Sequence, residues 1–190
     1  MKIGFVSDTH GCVESWRRAV TGPLAGADLI IHTGDVLYHG PRNPIPATYN
    51  PPALAEMINS APCPVILCRG NCDAVVDQLL LRWPVQEPYA LVYLNGLTII
   101  ATHGYKGEKQ EPLTEDDLLE LARLYRSRLV VCGHSHAWRL KEKEGVILLN
   151  PGSTSLPKEG PGTVARLEGN KLQVVTLDGE QVLAEKEIAL

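Results

Sequence analysis

Over the first two-thirds of this 190-residue chain, short β-branched apolar runs alternate with stretches whose apolar residues recur at helical spacing. Lys2–Ser7, Asp28–Thr33, Pro64–Arg69, Ala90–Leu94, Leu97–Thr102 and Leu129–Cys132 are predicted strands. Between the first two, Val13, Trp16, Arg17 and Val20 fall at i, i+3, i+4 and i+7, with the aliphatic stem of Arg17 tolerable on an apolar face. Pro51 and Pro52 open a second helix carrying Leu54, Met57 and Ile58, since proline suits a first helical turn. Thr114 with Asp117 three residues on forms a capping box, after which Leu118, Leu121, Ala122 and Tyr125 continue an apolar stripe.

The last third changes period. Residues 138–149 read as a hairpin turning at Glu144-Gly145, and residues 163–176 as another turning at Gly169-Asn170. Asp178-Gly179 then leads into a final strand. β-α units followed by antiparallel strands predict an α/β fold in which two mixed sheets pack face to face with helices outside. No repeat or linker divides the chain, so residues 1–190 are expected to form one domain. The irregular stretch from His39 to Pro52 holds five prolines, and its length marks a functional loop.

Composition adds little and excludes more. The apolar runs, such as Val146 to Leu149, are far too short to span a bilayer. Asp8 interrupts any signal-peptide apolar region, so the protein is expected in the cytoplasm, with no membrane partner. Cys12, Cys63, Cys68, Cys72 and Cys132 form no C-x-x-C pair, and all but Cys72 are expected to be buried thiols. A net charge of -4 argues against binding to long nucleic acid but not against a small phosphorylated substrate. A homo-oligomer is compatible with everything in the sequence.

The chemistry lies where the strands end. Five successive strands finish in Asp8-Thr9-His10-Gly11, Gly34-Asp35, Gly70-Asn71-Cys72-Asp73, His103-Gly104 and Gly133-His134-Ser135-His136. Ligands of α/β sheets bind in the crevice beyond these strand ends. The i, i+2 spacing of Asp8/His10 and of His134/His136 sends both side chains the same way from extended backbone. Four of the six histidines belong to this set. Carboxylate, imidazole and amide oxygen without thiolate suit Mn²⁺, Fe or Zn²⁺. Asp8, His10, Asp35, Asn71, His103, His134 and His136 are more donors than one tetrahedral structural zinc needs, whereas two ions sharing a carboxylate account for them. No G-x-x-x-x-G-K-[ST], G-x-G-x-x-G or G-x-S-x-G signature points to rival chemistry.

The ordered series D-x-H, G-D-x, G-N-x-D, T-H-G and G-H-x-H resembles the calcineurin-like metallophosphoesterase family. Gly34-Asp35-Val36-Leu37 with His39-Gly40-Pro41-Arg42-Asn43, Arg69-Gly70-Asn71-Cys72-Asp73 and Asn150-Pro151-Gly152-Ser153 narrow the likeness to its small YfcE-like bacterial phosphodiesterases. The resemblance covers residues 1 to about 157. It implies a four-layer αββα metallophosphoesterase sandwich with two divalent ions, Mn²⁺ first, with Fe, Zn, Ni or Co as alternatives. Asp8, His10 and His136 would hold one ion, and Asn71, His103 and His134 the other, with Asp35 bridging. A metal-bound hydroxide would attack the phosphorus of a small phosphodiester.

Asn71, Cys72 and Asp73 are the expected catalytic stretch. Many members of the wider family carry His where this chain, as in the YfcE-like group, has Cys72, and that His is thought to protonate the leaving oxygen while the Asp orients it. A thiol, with a reference pKa of about 8.5, suits that role poorly, which favours diesters with good leaving groups. Alternatively, Cys72 merely packs beneath Asn71. Arg42 and Asn43 are the expected substrate-binding residues, Arg being suited to paired hydrogen bonds with phosphate oxygens; a solvated loop arginine is the other reading. Two further readings stand beside the diesterase. One is a phosphomonoesterase on small or protein phosphates, and the other a non-catalytic scaffold like the retromer subunit of this fold.

Overall fold

The structure is a computed structural model describing residues 1–106 and 109–188. Its elements alternate as the pattern predicts: β1 (Lys2–Val6), α1 (Val13–Thr21), β2 (Leu29–His32), α2 (Pro51–Asn59), β3 (Val65–Cys68), β4 (Val85–Gln86), β5 (Ala90–Leu94) and β6 (Leu97–Thr102). A two-residue pair follows, β7 (Tyr105–Lys106) with β8 (Glu111–Pro112), then α3 (Glu115–Tyr125) and β9 (Leu129–Cys132). The predicted hairpins are β10 (Arg139–Lys143) with β11 (Val146–Asn150), and β12 (Thr163–Glu168) with β13 (Lys171–Thr176). β14 (Val182–Glu187) is the final strand.

Two large mixed sheets result. The first has the order β14-β13-β12-β1-β2-β3-β4, and the second β10-β11-β9-β6-β5. β1, β2 and β3 run parallel, as do β6 and β9, so the strands that end in the candidate ligands are parallel within each sheet.

Three apolar layers show why the four structural layers stack. Ile3, Phe5 and Ile31 of the first sheet meet Ile99, Leu129 and Leu149 of the second between the sheets. Trp16 and Ala19 of α1 and Leu54 and Ile58 of α2 cover the outer face of the first sheet at Val6, Ile30 and Leu67. Leu118, Leu119 and Ala122 of α3 cover the second sheet at Ile100, Val130 and Leu148. Adjacent residues such as Ile99 and Ile100 therefore serve opposite faces. That explains continuous apolar runs instead of alternation, as in any sheet covered on both sides.

Some details depart from the sequence reading. Arg17 lies outside the apolar face of α1, paired with Glu14 at 2.6 Å, and the buried face is Ser15, Trp16 and Ala19. The charged head finds a partner in water one turn away, so the stripe rotates. Cys63 and Cys132 are partly exposed, unlike buried Cys12 and Cys68, and all five thiols are free. Among the described residues, no helix is long and apolar enough to cross a membrane.

Candidate metal centre

The loops after four of the five strands are tied in pairs by their main chains, and that after β3 is tied to the β2 loop through the side chains of Asp73 and Asp35. Asp8, His10 and Gly11 donate their amide N–H groups to the carbonyls of Gly34, Asp35 and Val36, joining the loops after β1 and β2. Gly133 N–H donates to His103 carbonyl at 3.0 Å, joining those after β6 and β9. Gly34 has φ +101°, and a Cβ there would stand 2.6 Å from Gly70 nitrogen. A Cβ on Gly70 would overlap the Asp35 carboxylate itself. Glycine is required at both positions for the loops to meet. Asn150 donates from Nδ2 to Gly133 carbonyl and accepts from Gly152 N–H, each at 2.8 Å. Ser153 Oγ donates to Asp8 carbonyl at 2.7 Å, so the Asn150–Ser153 motif holds two ligand loops in register.

Asp8, His10, Asp35, His134 and His136 all have positive φ, between 45° and 68°. Non-glycine residues rarely adopt this conformation, and it persists where the surroundings enforce it, commonly at functional sites. The loop-to-loop hydrogen bonds supply that enforcement here.

All seven candidate side chains come together. Donor atoms of Asp8, His10, Asp35 and His136 lie within 4.8 Å of one another, all four residues being buried. Asn71 Oδ1 lies 3.0 Å from His103 Nε2 and 2.8 Å from His134 Nδ1. Asp35 joins the two groups, its Oδ2 lying 3.7 Å from His10 Nε2 and 3.4 Å from His103 Nε2.

Hydrogen bonding fixes which ring nitrogens face inward. His10, His103 and His136 each place Nδ1 on a main-chain carbonyl, those of Tyr38, Thr33 and Leu156, at 2.7–2.9 Å. A carbonyl only accepts, so each Nδ1 carries the proton and each Nε2 turns inward. His10 Nε2 and His136 Nε2 then face each other at 3.0 Å. Two lone pairs at that distance repel unless a cation or a second proton lies between them. Asp8 Oδ1 is also buried without a hydrogen-bond partner.

The electrostatics make the same demand. Burial disfavours charge on Asp8 and Asp35, yet neighbouring histidines hold both carboxyls below their usual range. Burial likewise opposes charge on His103, but Asp35 and Asp8 outweigh it and raise the imidazole to about 9. Burial prevails at His10 and His134, which fall. At His136 burial is again opposed by the hydrogen bond and charge of Asp8, which raise it, so the carboxylates draw positive charge onto two of the four imidazoles while burial keeps it off the other two. A divalent cation satisfies both the carboxylates and the inward lone pairs, and the donor set fits one.

Beside this cluster opens a cleft of 790 Å³ whose walls include Arg42, Asn43, Asn71 and Cys72. Asn43 Nδ2 donates to His39 carbonyl at 2.8 Å, folding the proline-rich loop back on itself. That loop rests on Cys72, whose Sγ lies 2.7 Å from where a Cβ on Gly40 would stand. Burial first, then the charge of Asp35, pushes the Cys72 thiol well above its ordinary value, so it is neutral. Asp73 turns away from the cleft. Its oxygens accept N–H groups from Asp35 and Gly70 at 2.8 Å and from Val36 at 2.7 Å. Burial, with Asp35, raises it to about 6.

Sequence reasoning missed Tyr38, Lys109 and Lys158 on the cleft wall, and Tyr105, whose ring lies 5.9 Å from that of His103. Tyr105 stands two residues past His103, a spacing that was a usable signal. Lys109 and Lys158 lie in turns with no periodicity. His32, one of the two histidines outside the set, is buried and driven down to about 3 by that burial. Neutral and stacked near Trp16 at 6.2 Å, it props the end of β2.

Comparison with known proteins agrees with this geometry. The chain is 35% identical to Phosphodiesterase YfcE of Escherichia coli strain K12 over 192 aligned positions, covering 99% of this chain and 98% of that protein. A solved structure of that E. coli phosphoesterase superposes with a TM-score of 0.82 at 34% identity, each chain covered completely. Vacuolar Protein Sorting 29 of Cryptosporidium parvum aligns with a TM-score of 0.68 at 21% identity over 100% of this chain and 98% of that one, a likeness of fold alone. The calcineurin-like phosphoesterase superfamily domain matches residues 1–171, so the candidate ligands and the five strands that end in them all lie within it. This chain is a member of the calcineurin-like phosphoesterase superfamily.

Proposed function

We propose that the chain is a phosphodiesterase that works with two divalent ions, as one domain over residues 1–190, on small cytoplasmic phosphodiesters. The observation that carries this reading is the set of inward-facing carboxylate, imidazole and amide groups gathered around Asp35. Asp8, His10 and His136 would hold one ion and Asn71, His103 and His134 the other, with Asp35 placed to serve both. Mn²⁺ is the first choice, with Fe, Zn, Ni or Co able to take the same donors. When bound, such a pair supplies Lewis acidity at the phosphoryl oxygens and acidifies water for attack at phosphorus. The name of the E. coli relative supports the choice of diesters.

The chain's own residues do the rest. Arg42 and Asn43 orient the phosphate from the cleft wall, the guanidinium offering paired donors to its free oxygens. Asn71 sits between the second ion site, with Oδ1 toward His103 and His134, and Cys72, whose Sγ lies 3.5 Å from its Nδ2. Asp73 is a positioning residue, clamping the main chain of Asp35 and Gly70 so that the bridging carboxylate stays in place. Cys72 remains a neutral thiol over the working pH range and gives only weak assistance to a departing oxygen. The chain therefore favours diesters whose leaving group needs no proton.

Two rates measured with Mn²⁺ test this. Bis-p-nitrophenyl phosphate is expected to be hydrolysed faster than p-nitrophenyl phosphate; the reverse order would make the protein a monoesterase. Cys72→Ala is expected to slow the activated diester by less than about tenfold, against the about 10²–10⁴-fold that a positioned acid is worth. A larger loss with metal content unchanged would make the thiol a direct participant.

A further inference from the structure

The cleft carries more positive charge than a simple diester needs. Three cationic side chains line it, Arg42, Lys109 and Lys158, each from a different loop. Arg42 belongs to the proline-rich loop after β2, Lys109 to the turn between β7 and β8, and Lys158 to the segment after β11. All three are exposed. Nine other Lys and Arg residues, among them Arg17, Arg69, Lys106 and Lys141, form ion pairs with carboxylates. Among the described residues, Arg42, Lys109 and Lys158 form none, a state they share with Lys2, Arg18, Arg82, Arg126, Arg128 and Arg166, but they are the three of these that line the cleft.

Their placement is built into the fold. Lys158 N–H donates to His136 carbonyl at 3.1 Å, while His136 Nδ1 donates to Leu156 carbonyl at 2.7 Å. Residues 156–158 thus clasp His136 and set Lys158 beside it at the cleft. Lys109 adjoins Gln110, which has φ 55° and also lines the cleft. A diester brings one negative charge, and Arg42 with its paired donors matches that charge. Two lysines remain without a partner. A volume of 790 Å³ lies toward the upper end of the roughly 300–1,000 Å³ usual for ligand pockets, leaving room beyond the scissile phosphate.

Resting on the diesterase reading above, we infer that the substrate carries a second anionic group away from the scissile phosphate, a phosphate monoester, and that Lys109 and Lys158 bind it. They select among diesters by charge and leave the chemistry at phosphorus to the metal centre. A phosphate monoester carries up to two negative charges near neutral pH and three acceptor oxygens, so it accommodates two ammonium groups at once. Two exposed ion pairs, each contributing up to roughly fivefold, give a preference of about 5- to 20-fold.

A matched pair of substrates tests this: the p-nitrophenyl ester of thymidine 5′-phosphate, with and without a 3′-phosphate. In both, water cleaves the aryl P–O bond to give p-nitrophenolate and the nucleotide, so only the distant charge differs. The expected result is a kcat/KM ratio of about 5–20 in favour of the 3′-phosphorylated ester at low salt. That ratio should fall as salt rises, because screening weakens exposed pairs. In the double variant Lys109→Gln/Lys158→Gln it should fall toward one, whatever happens to either rate alone. A wild-type ratio near one, or a ratio unchanged in the double variant, overturns the inference.

Direct binding separates this outcome from failure of the diesterase reading. Thymidine 3′,5′-bisphosphate should bind the wild-type protein more tightly than thymidine 5′-phosphate by calorimetry, and the double variant should lose the difference. If neither ester is hydrolysed, the diesterase reading fails and the calorimetric comparison alone decides the charge preference. Equal affinities then reject it.

Discussion

Asp35→Asn is expected to lose both metal ions together and to lower kcat/KM on bis-p-nitrophenyl phosphate by about 10²–10³-fold or more, the scale of removing one preorganised electrostatic stabiliser. The substitution preserves shape, so the expectation rests on charge and hydrogen bonding. Asp35 Oδ1 accepts the Cys72 N–H at 2.8 Å, which leaves Oδ2 facing His10 and His103. An asparagine can satisfy that N–H only with its carbonyl oxygen, and its NH₂ then points at the ions. Flipped, it sets NH₂ against N–H. The first orientation takes the oxygen away from the point shared by both ion sites, and the second leaves only a neutral amide oxygen there. His10→Ala removes a donor at one end of the cluster and should chiefly deplete one ion. Metal content per chain by mass spectrometry, with circular dichroism to verify folding, distinguishes the two. Asp35→Asn protein that kept two ions and normal turnover would remove the bridging assignment.

Much of the architecture was legible because of how two-sided sheets write themselves in sequence. Continuous runs such as Leu129–Cys132 mark strands covered on both faces, and the helices between them carry caps and stripes. Thr114 and Asp117 cap α3 in both directions, as their spacing predicts. The turn predicted at Glu144-Gly145 joins β10 to β11, with positive φ at both residues. What was not legible is short or non-local. β4, β7 and β8 are two residues each and carry no period. The antiparallel pairing of β1 with β12 joins residues 160 or more positions apart, from Phe5 with Ala165 to Lys2 with Glu168, and no local pattern encodes it.

For the site, residue type and strand-end position were sufficient to pick out seven side chains that the structure brings together. Their support was harder to see. The tautomer of each imidazole depends on carbonyls of Tyr38, Thr33 and Leu156, and every residue type has a carbonyl. The orientation of Asp73 was hidden for a similar reason. As a side chain in Gly70-Asn71-Cys72-Asp73 it reads as chemistry, while in the structure its oxygens brace three main-chain N–H groups.

Removing the metal is the other change of large expected effect. Without cations, the inward lone pairs of His10 and His136 and the orphaned Asp8 Oδ1 have only protons to share, and Asp8 and Asp35 no longer have ions to organise. Hydrolysis should then cease while the sheets, whose three apolar layers lie apart from the cluster, stay folded. Mg²⁺ should restore little, because it favours oxygen ligands in octahedral geometry and fits imidazole-rich sites poorly. The decisive measurement is a titration of chelator-stripped protein with Mn²⁺, following bound metal and bis-p-nitrophenyl phosphate hydrolysis together. The account predicts no hydrolysis in excess EDTA and a plateau reached only as the second ion per chain binds. Full hydrolysis in excess EDTA, or a plateau at one ion per chain, would contradict it.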